Sequence, residues 1–517
     1  MNTIPLRRVS FRSTTSLPIV PIAIVATLLI AISLVFVGFR LRLPYPISAW
    51  EAGIVTDAWR LLGGQGLYEL NGGHATHMYG PLTTALLAGL LDITGPSLWP
   101  GRLASIVAGT ATVLLVAVIC TRGSRLALLV AVALLMLTNS RTGYYFVETR
   151  PDMMAAFLGT LSLVVLFRGS EAGPGPRRFW MTVAGSLLVI AAILFKQTAA
   201  AVVAIPPLAL LATFDRAAIQ ERSIVAMIPA ATVMAVLGGI FQFAPGLWHA
   251  IIEVPAQYSI PVLRVLRMAV ELLATLPLFA LALVHWLLTD AADSLRVPRI
   301  RWLVASVICL IPASIIVYAK TGGAANCLIP ALLAIAAFCA WRAPIALALL
   351  QDSARPLPSR IAAGLLLSAL MFAQAYPLPG PLTWEALVLG HGTDDRTQVI
   401  SDLRTVPGKI ISPDDPTIAL FAKGYAGRTA VFEADLVNWD WARLTSLLPE
   451  IDAADCVVVM KEGSSSSGKI VFRGAVGFAA TDATLLARGF VPSSFKSISA
   501  PVYTLWCRPP RPVGPSE

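Results

Sequence analysis

Residues 81–95 read PLTTALLAGLLDITG, an apolar run with Asp92 near its end. Its reading decides which way the rest of the chain faces. The run is shorter than the roughly 17–25 residues a helix needs to cross about 30 Å of hydrocarbon. If it crosses, the basic turn TRGSR (121–125) faces outward, and so does every later basic turn. If it lies on the outer surface instead, five basic stretches face the cytoplasm. These are TRGSR, RGSEAGPGPRR (168–178), DRAAIQERS (215–223), DAADSLRVPRIR (290–301) and the stretch carrying Arg342, Arg355 and Arg360. Only the second register keeps Lys and Arg on the cytoplasmic side throughout.

That register predicts an α-helical polytopic membrane protein with about eleven spans. They fall near residues 18–39, 102–120, 125–141, 153–167, 179–195, 198–214, 224–243, 268–289, 302–318, 324–340 and 361–376. The N-terminus is cytoplasmic and the C-terminus is outside the cell or in the periplasm. Composition agrees: 56% of the 517 residues are hydrophobic and only 13% are charged, against about 25% charged in soluble proteins. The net charge of +10 follows from basic cytoplasmic loops and calls for no nucleic acid. The first apolar run, Pro18 to Phe39, follows Arg7, Arg8 and Arg12. It is too long for a signal-peptide core and lacks a small-x-small cleavage site after it, so it reads as an uncleaved span.

The outer face then receives loop 40–101, the lip at 142–152, Lys196, loop 244–267, Lys320 and everything after about residue 377. The tail alternates β-like runs, GKIIS (408–412), TAVFEA (429–434), CVVVM (456–460) and PVYTLWC (501–507), with helix-like DWARLTSLLPEI (440–451). Residues 1–376 read as a membrane domain and 377–517 as a small extracytoplasmic α/β domain. EGSSSSGK (462–469) reads as a flexible loop within it. Cys120, Cys309, Cys327 and Cys339 lie in or beside apolar runs. The pairing of Cys456 with Cys507 stays open.

The lip YYFVETRPDMMAAFLGTLSL (144–163) presses Glu148, Arg150 and Asp152 against an apolar run. A carboxylate in hydrocarbon is costly, so such acids usually line water or a substrate path. Asp152 follows Pro151 at a helix start, where the dipole favours an acid by roughly 0.3–1 kcal/mol. Glu51 and Asp57 share a helical run, but six residues put them about 240° apart, on different faces. Lys196 and Lys320, with Arg150, Arg264 and Arg267, form an outer set of cations suited to a phosphate. Taken singly, each of the two lysines reads first as a snorkelling anchor. His74 and His77, spaced H-x-x-H, leave a divalent metal open and require no cofactor.

The first-loop pattern WEAG…DAWRLLGGQGLY…YGPL, the acidic motif ETRPDMMAAFLG (148–159) and KTGGAANCLIPAL (320–332) resemble motifs of GT-C glycosyltransferases. The types most similar are lipid A aminoarabinose transferase and protein O-mannosyltransferase, over residues 18–376. The resemblance implies a sugar donor, hexosyl or pentosyl, carried on a polyprenyl phosphate. It implies an acceptor that is a lipid, glycan or protein, and contact with membrane lipids. It makes Glu51 the catalytic base, assisted by Asp152, with inversion at the anomeric carbon. Asp57, Tyr79, Arg150, Lys196, Arg264, Lys320 and Asn326 become substrate-binding. Loop 244–267, carrying Trp248, His249, Glu253 and Tyr258, becomes a lid. A transporter or flippase of a lipid-linked sugar is the alternative. It would usually show an internal repeat and broken mid-membrane helices, and the sequence displays neither.

Overall fold

The computed structural model describes residues 17–69, 73–121, 124–141, 145–212, 216–375, 394–438, 445–460, 482–496 and 503–509. It opens with α1 (Val20–Leu41), whose 22 residues span about 33 Å at 1.5 Å each. Next come α2 (Ala49–Leu62), α3 (Leu82–Thr94), α4 (Trp99–Thr121), α5 (Arg125–Arg141), α6 (Asp152–Glu171) and α7 (Pro176–Phe195). A 3-10 segment, Gln197–Ala204, leads into α8 (Ile205–Leu211) and α9 (Arg216–Phe243). Short α10 (Pro245–Trp248) and α11 (Val254–Ala256) flank a π-helical turn. They are followed by α12 (Val262–Ala274), α13 (Pro277–Thr289), α14 (Ala291–Ser294), α15 (Pro298–Ala319), α16 (Ile329–Gln351) and α17 (Leu357–Ala375).

Among the described residues, seven helices are long and apolar enough to cross a membrane: α1, α4, α6, α7, α15, α16 and α17. The chain is thus a multi-pass membrane protein. Bent helix pairs raise the number to as many as nine, and the expected spans at 125–141 and 198–214 are shorter apolar helices. The α3 helix packs against α2, with Leu87 and Leu91 buried in a core that also holds Ala52 and Val55.

The expected span 268–289 is not continuous. Helices α12 and α13 meet at 84°. Pro277 cannot continue the hydrogen-bond ladder, and α12 is amphipathic. Val262, Leu263, Leu266, Val270 and Leu273 fall on one side of it and are exposed, while Arg264, Arg267 and Glu271 fall on the other. Such a two-sided helix has the pattern of one suited to a membrane surface. The hydrophobic run conceals this because the apolar face of α12 joins directly to the apolar α13.

The C-terminal region holds a four-stranded sheet in the order β1-β2-β4-β3, from β1 (Ile410–Ile411), β2 (Cys456–Met460), β3 (Val491–Ser493) and β4 (Tyr503–Cys507). The first pair is parallel and the other two are antiparallel. Cys456 and Cys507 face each other across β2 and β4 and form a disulfide. The run TAVFEA, expected as a strand, is instead the start of the helix Ala430–Leu436. Tertiary packing overrides β-propensity there: Val431 and Phe432 bury themselves beside α2 and α3. A Cβ on Gly53 would come within 2.4 Å of the Phe432 ring, so glycine permits this contact. The edge strand β3 was not anticipated; it contains Pro492 and has no buried residue to give it a pattern. EGSSSSGK and residues 440–444 of the helix-like run lie outside the described residues.

Candidate active site

The site is assembled at one end of the bundle, where α2, α6, the 3-10 segment and α16 all begin. Ser48 caps α2, and its side chain accepts from the Glu51 backbone N–H. Glu51 reaches back to accept from the Ile47 N–H at 2.6 Å, a variant of the capping box. Its carboxylate also accepts from Arg102 Nε (3.0 Å), Arg102 NH2 (2.8 Å) and the Thr149 N–H (3.0 Å). Arg102 in turn donates to the carbonyls of Arg40, Leu43 and Tyr45. Glu51 and Arg102 are fully buried. Burial pushes the Glu51 carboxyl up, but Arg102 and the three sets of donors outweigh it and hold the acid below its usual range. Both oxygens of Glu51 are saturated, and the residue fastens the end of α1, the start of α2, α4 and the lip together.

The lip continues as an alternation of charge. The Ser48 hydroxyl donates to Glu148, whose other oxygen has no hydrogen bond and lies 3.6 Å from Arg150. Burial lifts the Glu148 carboxyl to about 7; Arg150 opposes the rise and the Glu51 charge adds to it. The Arg150 guanidinium sits in an aromatic box, 5.3 Å from the Trp50 ring centre, 5.7 Å from Tyr79 and 5.1 Å from Tyr145. It donates to the Tyr79 hydroxyl at 2.7 Å and lies 3.9 Å from Asp152 Oδ2.

Asp152 is the first residue of α6, after Pro151. Its Oδ1 accepts from Lys196 and, at 3.1 Å, from Asn326 Nδ2. Its Oδ2 is buried without a hydrogen bond. Lys196 is presented by an extended residue between α7 and the 3-10 segment. Tyr79 reaches it because Gly80 lies on the end of α7, where a Cβ would fall 1.9 Å from the Leu194 carbonyl. The Lys196 ammonium is 5.7 Å from the Tyr79 ring centre. Asp152, Lys196 and Asn326 form the polar mouth of a cavity of about 60 Å³, whose walls include Ala156, Leu163, Val202 and Leu333.

The structure therefore brings Asp152, Arg150, Lys196, Tyr79 and Asn326 together, with Glu51 linked through Thr149. It places Asp57 elsewhere: paired with Arg60 at 3.0 Å and Thr76 at 2.5 Å, its carboxyl is raised by burial to about 6. Arg264 is half-buried on α12, and Lys320 lies 5.2 Å from the Tyr258 ring centre. Tyr258 donates to the Asp435 carbonyl at 3.1 Å, and Gln197 donates to the carbonyls of Met78 and Ile251. Ser259 also accepts from the Thr321 backbone N–H at 2.9 Å, so loop 244–267 is held at Ile251, Tyr258 and Ser259. His77 accepts from the Tyr79 N–H through Nδ1 and meets Thr84 through Nε2. Burial, helped by Arg150, lowers it to about 3. Both ring nitrogens of His77 are thus engaged within the protein. Among the described residues no group of three or more His, Cys, Asp and Glu side chains suits a metal.

Sequence reasoning missed Arg102, which lies inside an apolar run, and the aromatic box. It noted Glu148 without giving it a role. The strict alternation Glu148, Arg150, Asp152 was the signal available.

No protein-family model and no curated protein matches the chain. Among solved structures, it is similar to ArnT from Cupriavidus metallidurans bound to undecaprenyl phosphate. Identity is 12%, coverage 93% of this chain and 97% of that chain, and TM-score 0.56. Apo ArnT from the same organism (15%, 77% and 84%, TM-score 0.47) and the apo Archaeoglobus fulgidus oligosaccharyltransferase (11%, 73% and 58%, TM-score 0.41) are more distant. The chain shares the fold of ArnT over nearly its whole length.

Proposed function

We propose that the protein is a membrane glycosyltransferase that moves a sugar from a polyprenyl-phosphate donor to an acceptor on the non-cytoplasmic face. The observation that carries this reading is the Arg150–Asp152–Lys196 cluster at the mouth of an apolar cavity between α6 and α16. Arg150 and Lys196 surround Asp152, and Glu148, 3.6 Å from Arg150 and lifted to about 7, leaves the cluster net positive for a phosphate when it is protonated; the cavity wall suits the start of a prenyl chain. ArnT, the fold neighbour, was crystallised with undecaprenyl phosphate.

In this mechanism Asp152 Oδ2 takes the proton of an acceptor hydroxyl as its oxygen attacks the anomeric carbon. The bond to the acceptor forms as the bond to the phosphate oxygen breaks. Polyprenyl phosphate departs with the electron pair, its charge met by Arg150 and Lys196. Displacement from the opposite side inverts the centre. Glu51 acts as a positioning residue, since four donors occupy its oxygens. A cavity of about 60 Å³ holds only about two waters, so donor entry requires the site to open, and segment 245–258, tied beside Lys196 through Gln197, is the lid in this reading. Basic turns at the far end of the bundle support the outward orientation. So does the Cys456–Cys507 disulfide, a bond favoured in oxidising compartments.

The test is turnover by purified protein supplied with labelled polyprenyl-phosphate sugars and candidate acceptors. Label on an acceptor, with free polyprenyl phosphate and inverted configuration, is expected. Movement of intact donor across vesicles without cleavage would overturn the reading.

A further inference from the structure

At the other end of α16, residue 342 lies roughly 20 Å along the axis from Ile329 at 1.5 Å per residue. There α1, α5, α13, α16 and α17 enclose a second cavity of about 340 Å³. This is in the size range of ligand pockets and more than five times the volume beside Asp152. Its walls are almost wholly aliphatic, and its polar groups are mainly Arg342, Arg355, Arg360 and His285.

The three arginines are not equivalent. Arg342 donates to Asp290 at 2.7 Å and meets His285. Arg355 lies 3.7 Å from Asp352. Arg360 is 7% exposed; among the described residues no acid, carbonyl or hydroxyl accepts from its guanidinium, and its Nε is buried without a partner. A buried charge without an internal partner favours an external anion, and a guanidinium is the side chain best matched to a phosphate. Two of the three arginines are neutralised internally, which leaves one positive charge.

We infer that this cavity binds an anionic glycerophospholipid of the adjacent leaflet, its phosphodiester on Arg360 and an acyl chain along the apolar wall. The single uncompensated charge matches the single negative charge of a phosphodiester, and the aliphatic walls match a chain rather than a soluble anion. The site is separate from the candidate active site and does not depend on the reaction proposed there.

The experiment uses the full-length protein in detergent, titrated with dioleoyl-phosphatidylglycerol, dioleoyl-phosphatidylcholine or glycerol 3-phosphate. Binding is followed by native mass spectrometry and the thermal midpoint. One phosphatidylglycerol per chain is expected to bind about tenfold tighter than phosphatidylcholine, the worth of one charge-assisted contact, and to raise the midpoint. Glycerol 3-phosphate is expected to do neither. Arg360→Gln breaks no internal contact and is expected to abolish the preference. Ala346→Leu, which fills the cavity and leaves the arginines alone, is expected to weaken both lipids. Equal binding of the two lipids by the native chain, an undiminished preference in Arg360→Gln, unchanged binding in Ala346→Leu, or a full effect from glycerol 3-phosphate would overturn the inference.

Discussion

Glu51 and Asp152 are both buried carboxylates at the same end of the bundle, and each has an arginine beside it. They differ in what is left over. Glu51 accepts from a guanidinium and two backbone N–H groups, so neither oxygen is available. Asp152 accepts twice on one oxygen, while the other is bare and 3.9 Å from a cation. On the proposed mechanism the count of donors, rather than residue type or depth, separates the positioning acid from the reactive one.

The comparison breaks most severely at Glu51. Glu51→Ala strands Arg102 in a fully buried place, and removing one partner of such a pair costs about 3–5 kcal/mol. The expected outcome is a large drop in folded protein, read by thermal melting in detergent, with any surviving protein still active. Asp152→Asn keeps an acceptor for Lys196 and loses the base, so the fold is expected to survive while turnover falls about 10²–10⁴-fold. Normal stability in the first variant and normal turnover in the second would reverse the two roles.

Glu148, between them, sharpens the contrast through pH. Its folded pKa of about 7 exceeds the 4.5 of an unfolded chain. An acid raised in this way favours the folded state when neutral. Its contribution is full below about 4.5 and declines as pH rises to about 7. Asp57, raised from 3.8 to about 6, acts in the same sense over a lower window. The thermal midpoint is therefore expected to fall between about pH 4 and 7, and Glu148→Gln is expected to flatten the upper part of that fall. The smallest effect is expected from Tyr258→Phe, which removes the hydroxyl bond to Asp435. Its cost is about 1 kcal/mol, and faster donor entry is expected in pre-steady-state binding.

Much of the membrane architecture was legible because length and hydropathy set spans directly. Asp152 and Lys196 were assigned to the same face by the charge rule, Asn326 to the site by the family resemblance, and the three do meet. What escaped the sequence depends on three-dimensional partners. Arg102, the partner of Glu51 51 residues on, escaped because it is indistinguishable in sequence from an interfacial anchor. The break between α12 and α13 escaped because an in-plane apolar face and a transmembrane one have the same composition. TAVFEA escaped because the partner that makes it a helix, the surface around Gly53, belongs to another part of the chain.

The central claim is that a polyprenyl phosphate is held where Arg150, Asp152 and Lys196 converge. It is tested most directly by an experimental structure of the protein with polyprenyl phosphate added. The account predicts phosphate density bracketed by the Arg150 guanidinium and the Lys196 ammonium, with the chain running along α6 and α16. Phosphate density at another place, with the Asp152–Lys196 pair closed and undisturbed, would contradict it.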